Sequence, residues 1–185
     1  CEAACPIELE HVPKLLKLRQ HQVLMAGEFP KELRTVFQGY EVQSNPWGLP
    51  ADTRGDWAKG ADVPVARTVG DVAALDWLYY VGSAESFDPR GQKIAKAFAT
   101  ILRAAGVRFA ILGADEPSTG ECARRAGNEM LFQQLAATLV DRFRELGVRR
   151  IVTCDPHAYN SLRNEYPEFG GEWEVKHHSQ LIAEL

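Results

Sequence analysis

Residues 151–167 read Ile-Val-Thr-Cys-Asp-Pro-His-Ala-Tyr-Asn-Ser-Leu-Arg-Asn-Glu-Tyr-Pro, and this pattern predicts a strand that runs directly into a helix. The apolar run ends at Thr153, and Pro156 stands where the first turn of a helix would begin. In an open α/β sheet, such strand-to-helix corners lie at the carboxyl ends of the strands, where binding sites are usually assembled. A binding site here would therefore also contain residues from the other strand-to-helix corners that lie at the same edge of the sheet.

A repeated βα pattern over residues 71–185 predicts an α/β fold, an open parallel sheet with flanking helices. The segments Gly106-Val-Arg-Phe-Ala-Ile-Leu and Gly147-Val-Arg-Arg-Ile-Val-Thr are near copies, each a helix stop that leads into a strand. The periodicity predicts strands at 75–81, 107–112 and 173–176 and one ending at Thr153, with helices at 89–105, 122–146, 156–166 and 179–185. Strands joined by helices of this length pair in parallel, with right-handed crossovers.

The composition describes an ordinary globular protein and excludes several functions. The 185 residues are 45% hydrophobic and 25% charged, and the net charge is -4. Without a basic excess, nucleic-acid binding has no support. No apolar run is long enough to cross a bilayer, so we expect no membrane contact by this segment itself. The cysteines, at positions 1, 5, 122 and 154, are too few for a disulfide scaffold and favour a reducing, cytoplasmic compartment. Because the chain opens on Cys1 without a methionine, we expect it to be a piece of a longer protein.

The first 70 residues are organised differently. Apolar residues between Ile7 and Met25 have helical periodicity, interrupted early by Pro13. Residues 27–70 form a Pro/Gly-rich linker with a short helix at about 30–40. Within it, the turn 44–50 carries Trp47, which either plugs the loop onto a core or belongs to a lid or docking loop.

Polar and metal-capable side chains follow each predicted strand, so the sequence predicts that they converge on one edge. They are Ser83, Ser118, Thr119, Gly120, Cys154, Asp155, His157, His177 and His178, with Cys122 one helical turn beyond Ser118. Three chemistries fit them. The first is a metal site that uses Cys122, Cys154, Asp155, His157 and one of His177 and His178. The second is an anion site on helix N-termini with Ser118, Thr119 and Gly120, and the third is nucleophilic catalysis by Cys154 with His157. The structural alternative is that the cysteines are small buried hydrophobes and that Asp155 is a helix N-cap.

Cys1 and Cys5, followed by Pro6, have the spacing of the last two ligands in the ferredoxin run C-x2-C-x2-C-x3-C-P. Thiolates at this spacing bind a [4Fe-4S] cube. Two cysteines cannot hold a cube, so the remaining ligands would come from upstream of the chain. A pair of incidental cysteines is the alternative interpretation.

Several segments in order resemble the iron-sulfur oxidoreductases related to heterodisulfide reductase, and in particular their membrane-associated members that pass electrons from electron-transfer flavoprotein to a quinone. The matching segments are Cys1 with Cys5-Pro6, 7–11, 27–30, 45–48, 80–82, 109–113, 123–129 and 164–171. In that family a ferredoxin-type module is followed by a linker and by cysteine-rich CCG domains that hold clusters. The resemblance implies a ferredoxin-module end at 1–26, a linker at 27–70 and a CCG-like α/β domain at 71–185.

The chain departs from the family at the cluster ligands of its α/β domain. Where the family has cysteines, this chain has Ser83, Ser118, Thr119, Asp155 and Ala158. Hydroxyls are poor iron ligands and alanine is none, so the resemblance implies a domain that has lost its own cluster. Cys122 and Cys154 lie one position off the pattern, and their substitution for the missing ligands is a hypothesis.

The resemblance implies a segment of an electron-transfer oxidoreductase that works between a flavoprotein or dehydrogenase and a quinone-type acceptor. Its cofactor would be a [4Fe-4S] cluster held partly by Cys1 and Cys5, and its partners would be electron-transfer flavoprotein or a dehydrogenase subunit, together with further domains of the same polypeptide. Segments outside this chain would place the parent protein at the cytoplasmic face of the membrane. The alternative is a non-redox α/β binding or docking module with an anion site at the strand ends.

Overall fold

A computed structural model describes residues 5–7 and 9–185, and a four-stranded sheet lies at their centre. The strands are β1 (Trp77–Tyr80), β2 (Phe109–Ile111), β3 (Arg150–Thr153) and β4 (Glu174–His177). All pairs are parallel, and the strand order is β2-β1-β3-β4. The predicted α/β class with an open parallel sheet is confirmed, and all four predicted strands are present.

The order of the strands reverses between β1 and β3. From β1 the chain moves outward to β2, and then crosses back over β1 to form β3 on its other side. Leu78 pairs with Ile151 and Tyr80 with Thr153, so the carboxyl ends of β1 and β3 lie side by side. This point is the topological switch point, at which open α/β sheets leave a crevice.

Eight α-helices occur in the described residues. They are α1 (Val12–Gln20), α2 (Lys31–Gln43), α3 (Ser83–Phe87), α4 (Pro89–Ala104), α5 (Glu121–Ala126), α6 (Glu129–Glu145), α7 (Pro156–Asn160) and α8 (His178–Glu184). Helix α1 begins one residue before Pro13, because proline is tolerated in the first turn, where no N–H is needed. Within the described residues, none of the helices combines the length and the apolar character needed to cross a bilayer.

The predicted helix 122–146 is wrong as a single element. The structure contains two helices there, α5 and α6, because Gly127 adopts a left-handed conformation with φ +99°. Asn128 then caps α6 by accepting a hydrogen bond from the N–H of Leu131 at 3.2 Å. The predicted helix 156–166 is also shorter than expected, because α7 continues as a π-helical turn over Ser161–Glu165 and a 3-10 turn over Tyr166–Phe169.

Both faces of the sheet are covered, as the fully buried strands β1 and β2 require. On one face Tyr79 packs edge-on against Phe98 of α4, with ring centroids 5.1 Å apart. On the other face Tyr80 packs against Phe143 of α6 at 6.5 Å. Fully burying side chains of this size stabilises the fold by about 1.5–3 kcal/mol each. The alternation of strand residues therefore determines which face of the sheet each strand side chain covers.

The two edge strands of the sheet, β2 and β4, have different neighbours. Beside β2, the N–H of Ile111 donates to the carbonyl of Pro64 at 2.9 Å, and Val65 forms an isolated bridge with Ile111. At β4, Lys176 lies near the carboxylates of Glu174 and Glu184.

Candidate functional site

The corners after β1, β2 and β3 surround a cavity of about 260 Å³ at the switch point. Residues from α2 and the following loop close its remaining side. Six of the site residues predicted from sequence line it, and they are Ser83, Ser118, Thr119, Cys122, Asp155 and His157. The expected convergence of corners on one edge is therefore what the structure shows for these residues.

A buried ion pair contacts the corner after β1 without itself lining the cavity. The Arg54 Nη2 and Glu116 Oε1 atoms are 3.1 Å apart, and both side chains are almost fully buried. The Glu116 carboxylate also accepts hydrogen bonds from the N–H groups of Val81 and Gly82, at 2.8 and 2.9 Å. Burial raises the pKa of Glu116, while Arg54 and these N–H donors oppose the rise. The guanidinium also donates to the Ser83 hydroxyl at 3.2 Å, so the pair fixes the corner after β1.

The corner after β1 carries a buried carboxyl of its own, that of Glu85, which receives no comparable set of donors. Glu85 is 8% exposed, and its Oε2 atom has no hydrogen-bond partner among the described residues. Burial, and then the charge of Asp155, raise the pKa of Glu85 to about 7. Asp155 itself caps α7, since its Oδ1 atom accepts from the N–H groups of His157 and Ala158 at 2.8 and 3.2 Å.

Gly82 makes room for both carboxyls. A Cβ atom at this position would lie 2.8 Å from Oδ2 of Asp155 and 3.3 Å from Oε2 of Glu85. Its φ of +86° is also one that glycine adopts without strain. The absence of a side chain at Gly82 therefore lets the two carboxyls face a common space.

The rim of the cavity carries a third carboxylate. Glu121 is buried, and its Oε1 atom lies 3.0 Å from Nε of Arg125 and 3.5 Å from Nδ1 of His157. Beyond this rim, Glu121, Cys122 and His157 also line a neighbouring cavity of about 540 Å³ against the segment 19–33.

Helix α2 supplies the opposite wall. The Tyr40 hydroxyl and the Cys122 thiol line the cavity close to each other, and desolvation raises the pKa of both groups. Ser44, at the end of α2, accepts a hydrogen bond at its hydroxyl from the Ser118 N–H at 2.7 Å. These contacts connect the predicted linker directly to the corner after β2.

The loop 44–50 stands at the mouth of the cavity and is held by a buried Asn45. The Asn45 amide donates to the carbonyls of Gln43 and Leu49 and accepts from the N–H groups of Trp47 and Leu49. Trp47 is 53% exposed and contacts Phe87 edge-on at 6.4 Å. With this exposure Trp47 does not plug the loop onto a core, as one interpretation predicted, and the loop is instead held closed on itself by Asn45.

Cys154 and Ala158 do not line the cavity. Cys154 is buried on the α4 face of the sheet, where the Tyr79 hydroxyl donates to its Sγ atom at 3.5 Å. Burial raises the pKa of this thiol to about 12, which leaves it protonated at neutral pH and argues against the nucleophile hypothesis. Ala158 is fully buried on the other face of the sheet.

The remaining predicted ligands lie elsewhere. His177 and His178 contact each other, Tyr159 and Phe98, away from the cavity. Cys5 is partly buried, and Cys1 lies outside the described residues, so their joint role as cluster ligands stays a prediction.

The residues of the cavity do not fit a [4Fe-4S] cluster. Such a cluster takes four thiolate-type ligands, and the only thiol among the described lining residues is that of Cys122. In the part of the chain that is described, no group of three or more His, Cys, Asp or Glu side chains is arranged to hold a metal ion.

The cavity is also poorly suited to binding an anion. The N–H groups of Val81, Gly82, Ser118, Gly120, His157 and Ala158 already donate to protein oxygens. Three carboxyls, those of Glu85, Glu121 and Asp155, line the same space. The structure therefore disfavours the predicted anion site.

Sequence reasoning missed four residues that define the site: Tyr40, Arg54, Glu85 and Glu116. Arg54 and Glu116 are 62 positions apart, and a lone charge in a Gly-rich segment carries no signal of burial. The one available signal was the acidic residue Glu85, which lies in the corner after β1.

Comparison with known proteins gives matches to iron-sulfur oxidoreductases over the whole of this chain. The chain is 44% identical over 189 residues to the probable iron-sulfur-binding oxidoreductase FadF of Bacillus subtilis (strain 168), covering all of this chain and 27% of that protein. It is 37% identical to the EtfAB:quinone oxidoreductase of Syntrophomonas wolfei, covering all of this chain and 26% of that protein. It is 35% identical to a probable membrane-anchored ferredoxin of Chromohalobacter salexigens, covering all of this chain and 28% of that protein.

A weaker match is to one subunit of the dihydromethanophenazine:CoB–CoM heterodisulfide reductase of Methanosarcina mazei, with 26% identity over 76% of this chain and 34% of that protein. No protein-family model and no solved structure match the chain. The chain thus spans between a quarter and a third of the length of these relatives.

Proposed function

Because the chain belongs to the family of iron-sulfur oxidoreductases related to heterodisulfide reductase, we propose that it is an electron-transfer segment in which Cys1 and Cys5 provide part of a [4Fe-4S] ligand set. The observation that carries the proposal is the similarity over the whole chain at 44% identity. The remaining ligands would come from the parent polypeptide upstream of Cys1.

The proposed donor is an electron-transfer flavoprotein or a dehydrogenase subunit, and the proposed acceptor is of the quinone type. This assignment is supported by the name of the Syntrophomonas relative, an EtfAB:quinone oxidoreductase. The proposed location is the cytoplasm, at a membrane to which other parts of the parent protein attach. The name of the Chromohalobacter relative, a membrane-anchored ferredoxin, supports this attachment.

We further propose three functional parts: the end of a ferredoxin-type module at 1–26, a linker at 27–70 and a CCG-like α/β domain at 71–185. The α/β domain would act as the scaffold that fixes the position of the first part. Arg19 of α1 donates to the carbonyl of Arg125 at 2.8 Å, and Gln20 donates to Glu129 at 3.2 Å. The backbone of Arg19 also lies against Gly127, where a Cβ atom would come within 2.5 Å of its carbonyl oxygen.

In this proposal the α/β domain holds no cluster of its own. Ser83, Ser118, Thr119 and Asp155 offer oxygen instead of sulfur, and Ala158 offers no ligand at all. A cluster with thiolate ligands carries negative charge, and the carboxyls of Glu85 and Asp155 would repel it. Electron transfer would therefore run through the cluster at Cys1 and Cys5.

Iron and sulfide analysis of a longer polypeptide, extended upstream of Cys1, tests this proposal. We expect Cys5→Ala to remove about four iron atoms, that is, one cluster, and Cys122→Ala and Cys154→Ala to leave the iron content unchanged. Loss of iron in Cys122→Ala would show that the α/β domain supplies ligands. Unchanged iron in Cys5→Ala would refute the ligand assignment.

A further inference from the structure

The cavity at the switch point contains a polar group that the protein itself leaves unsatisfied. Glu85 is more than nine-tenths buried, and its Oε2 atom has no hydrogen-bond partner among the described residues. Buried carboxyls in folded proteins are normally hydrogen-bonded, as that of Glu116 is to the backbone of the corner after β1. An orphaned oxygen of this kind points to a ligand.

Asp155 provides a second acceptor beside it. Its Oδ1 atom caps α7, while its Oδ2 atom faces the space beside Gly82 that Oε2 of Glu85 also faces. The proximity of a like charge contributes to the raised pKa of Glu85, which supports this geometry. A hydrogen-bond donor with a positive charge would satisfy both oxygens and relieve their repulsion.

The basic side chain that the cavity lining itself brings near Glu85 is that of His157, which also lies 3.5 Å from Glu121. Among the described residues that line the cavity there is no Lys or Arg. Arg54, outside the lining, is committed to Glu116, Ser44 and Ser83. Arg125 at the rim is committed to Glu121 and Glu165.

Aromatic rings contribute to the rest of the lining. They belong to Tyr40, Tyr80 and Trp47, the last of which stands half exposed at the mouth. Carboxylates together with aromatic faces are the features that bind organic cations, through charge-assisted hydrogen bonds and cation–π attraction. A volume of about 260 Å³ suits an ammonium group with a few carbon atoms.

We propose that this cavity is a binding site for an organic ammonium group, held by Glu85 and Asp155 and stacked against Trp47. The group is supplied either by a free alkylamine or by a lysine side chain of another protein. The site lies where the family pattern places a cluster, but its chemistry differs from that of a cluster. The inference does not depend on the proposed electron transfer.

Titration of the chain with n-butylammonium chloride, followed by NMR of the carboxyl and indole groups, tests the proposal. We expect saturable shifts at Glu85, Asp155 and Trp47 near neutral pH. Lowering the pH to about 5.5 should weaken binding several-fold, because a proton then competes with the cation at Glu85. Shifts that do not saturate, or that n-butanol or potassium chloride reproduces at equal concentration, would overturn the proposal.

Two isosteric variants and one control locate the site. Glu85→Gln and Asp155→Asn should each weaken binding by about tenfold, the value of one charge-assisted hydrogen bond. Asp155→Asn keeps the helix cap, because asparagine caps as well as aspartate. Glu41→Gln, an exposed carboxyl on α2, should bind as the parent chain does. Equal affinity in all three variants would refute the site.

A lysine-containing tripeptide with blocked ends distinguishes the two sources. Tighter binding of the tripeptide than of n-butylammonium would identify a protein lysine as the ligand. Weaker binding would identify a free amine. Circular dichroism of each variant verifies that it is folded, so that loss of binding is read only from folded protein.

Discussion

Two buried carboxyls at the corner after β1, one that belongs to it and one that reaches it from the segment after β2, have very different partners. Glu116 receives a guanidinium and two N–H donors, whereas Glu85, which is also buried, receives none at its Oε2 atom. Glu116 holds the corner in place. Glu85 keeps its proton up to about pH 7 in the folded protein, whereas in the unfolded chain it releases this proton near its ordinary pKa of about 4.3.

Glu85 should make the stability of the protein fall as the pH rises. Its pKa is about 7 in the folded protein and about 4.3 in an unfolded chain, so between these values the folded state holds a proton that the unfolded state has lost. The contribution is fully present below about pH 4.3 and is lost by about pH 7. We expect Glu85→Gln to gain on the order of 3 kcal/mol relative to the parent between about pH 4.5 and about pH 8, measured by urea unfolding.

Glu41→Gln is the control for this experiment, since Glu41 is exposed. The free energy of unfolding of Glu41→Gln should change with pH in the same way as that of the parent. If the Glu85→Gln curve were also parallel, the carboxyl would not titrate near neutral pH in the folded protein.

The side chains of Arg54 and Glu116 should be energetically coupled, so that replacing one alone destabilises the protein strongly. Arg54→Met leaves a buried carboxylate without its counter-charge and should cost about 3–5 kcal/mol of unfolding free energy. The double variant Arg54→Met/Glu116→Gln should cost at least about 1 kcal/mol less than the sum of the single variants. Lys59→Met in the exposed pair with Asp56 should cost less than about 1 kcal/mol. Additive costs at Arg54 and Glu116 would contradict a coupled pair.

At the scale of elements, the attachment of α1 depends on a turn without a side chain. Gly127 separates α5 from α6, and its Cα faces the backbone of Arg19. A side chain here would both strain a positive φ and push α1 away.

Gly127→Ala should therefore detach α1 from α5, at a cost of more than about 2 kcal/mol. Gly106→Ala is the matched control, because its φ is +69° and nothing lies within 4 Å of its Cβ position, so only the cost of about 1 kcal/mol for the left-handed conformation applies. Hydrogen exchange of the α1 amides measures the detachment. Unchanged exchange in Gly127→Ala would show that α1 is held by its other contacts alone.

The sequence predicted elements well where periodicity was long and regular. Helix α4 was expected at 89–105 and observed at Pro89–Ala104, since the N-cap Asp88 and the stop Gly106 bracket a clear apolar stripe. The break between α5 and α6 was missed, because the apolar stripe begins only at Leu131 and one glycine does not end a helix by itself. The short helix α3 was also missed, since five residues show no period.

At the scale of the whole molecule, Cys154 should report global unfolding. It lies between the sheet and its α4 layer, so its thiol reaches solvent only when these layers separate. Cys122 is exposed in the native state. We expect iodoacetamide to label Cys122 in folded protein, and Cys154 only in step with global opening, as measured by mass spectrometry at increasing urea concentrations. Comparable labelling of both thiols in the folded protein would contradict the position of Cys154.

The arrangement of the strands in the sheet explains which site residues could be predicted from the sequence. Parallel strands with known ends predict which corners meet, and this placed Ser83, Ser118 and Asp155 together. Alternation along a short strand-to-helix corner does not predict which side a residue such as Cys154 faces. Long-range pairs, such as Arg54 with Glu116, have no local signature at all.

The unequal edges of the sheet bear on self-association. Beside β2, the segment at Pro64 and Val65 already occupies the outer hydrogen-bonding position of Ile111. At β4, the charges of Glu174 and Lys176 would be desolvated by an incoming strand from another molecule, and such charged, short edges are the usual protection against edge-to-edge aggregation. The sheet therefore resists growth into cross-β assemblies from either side.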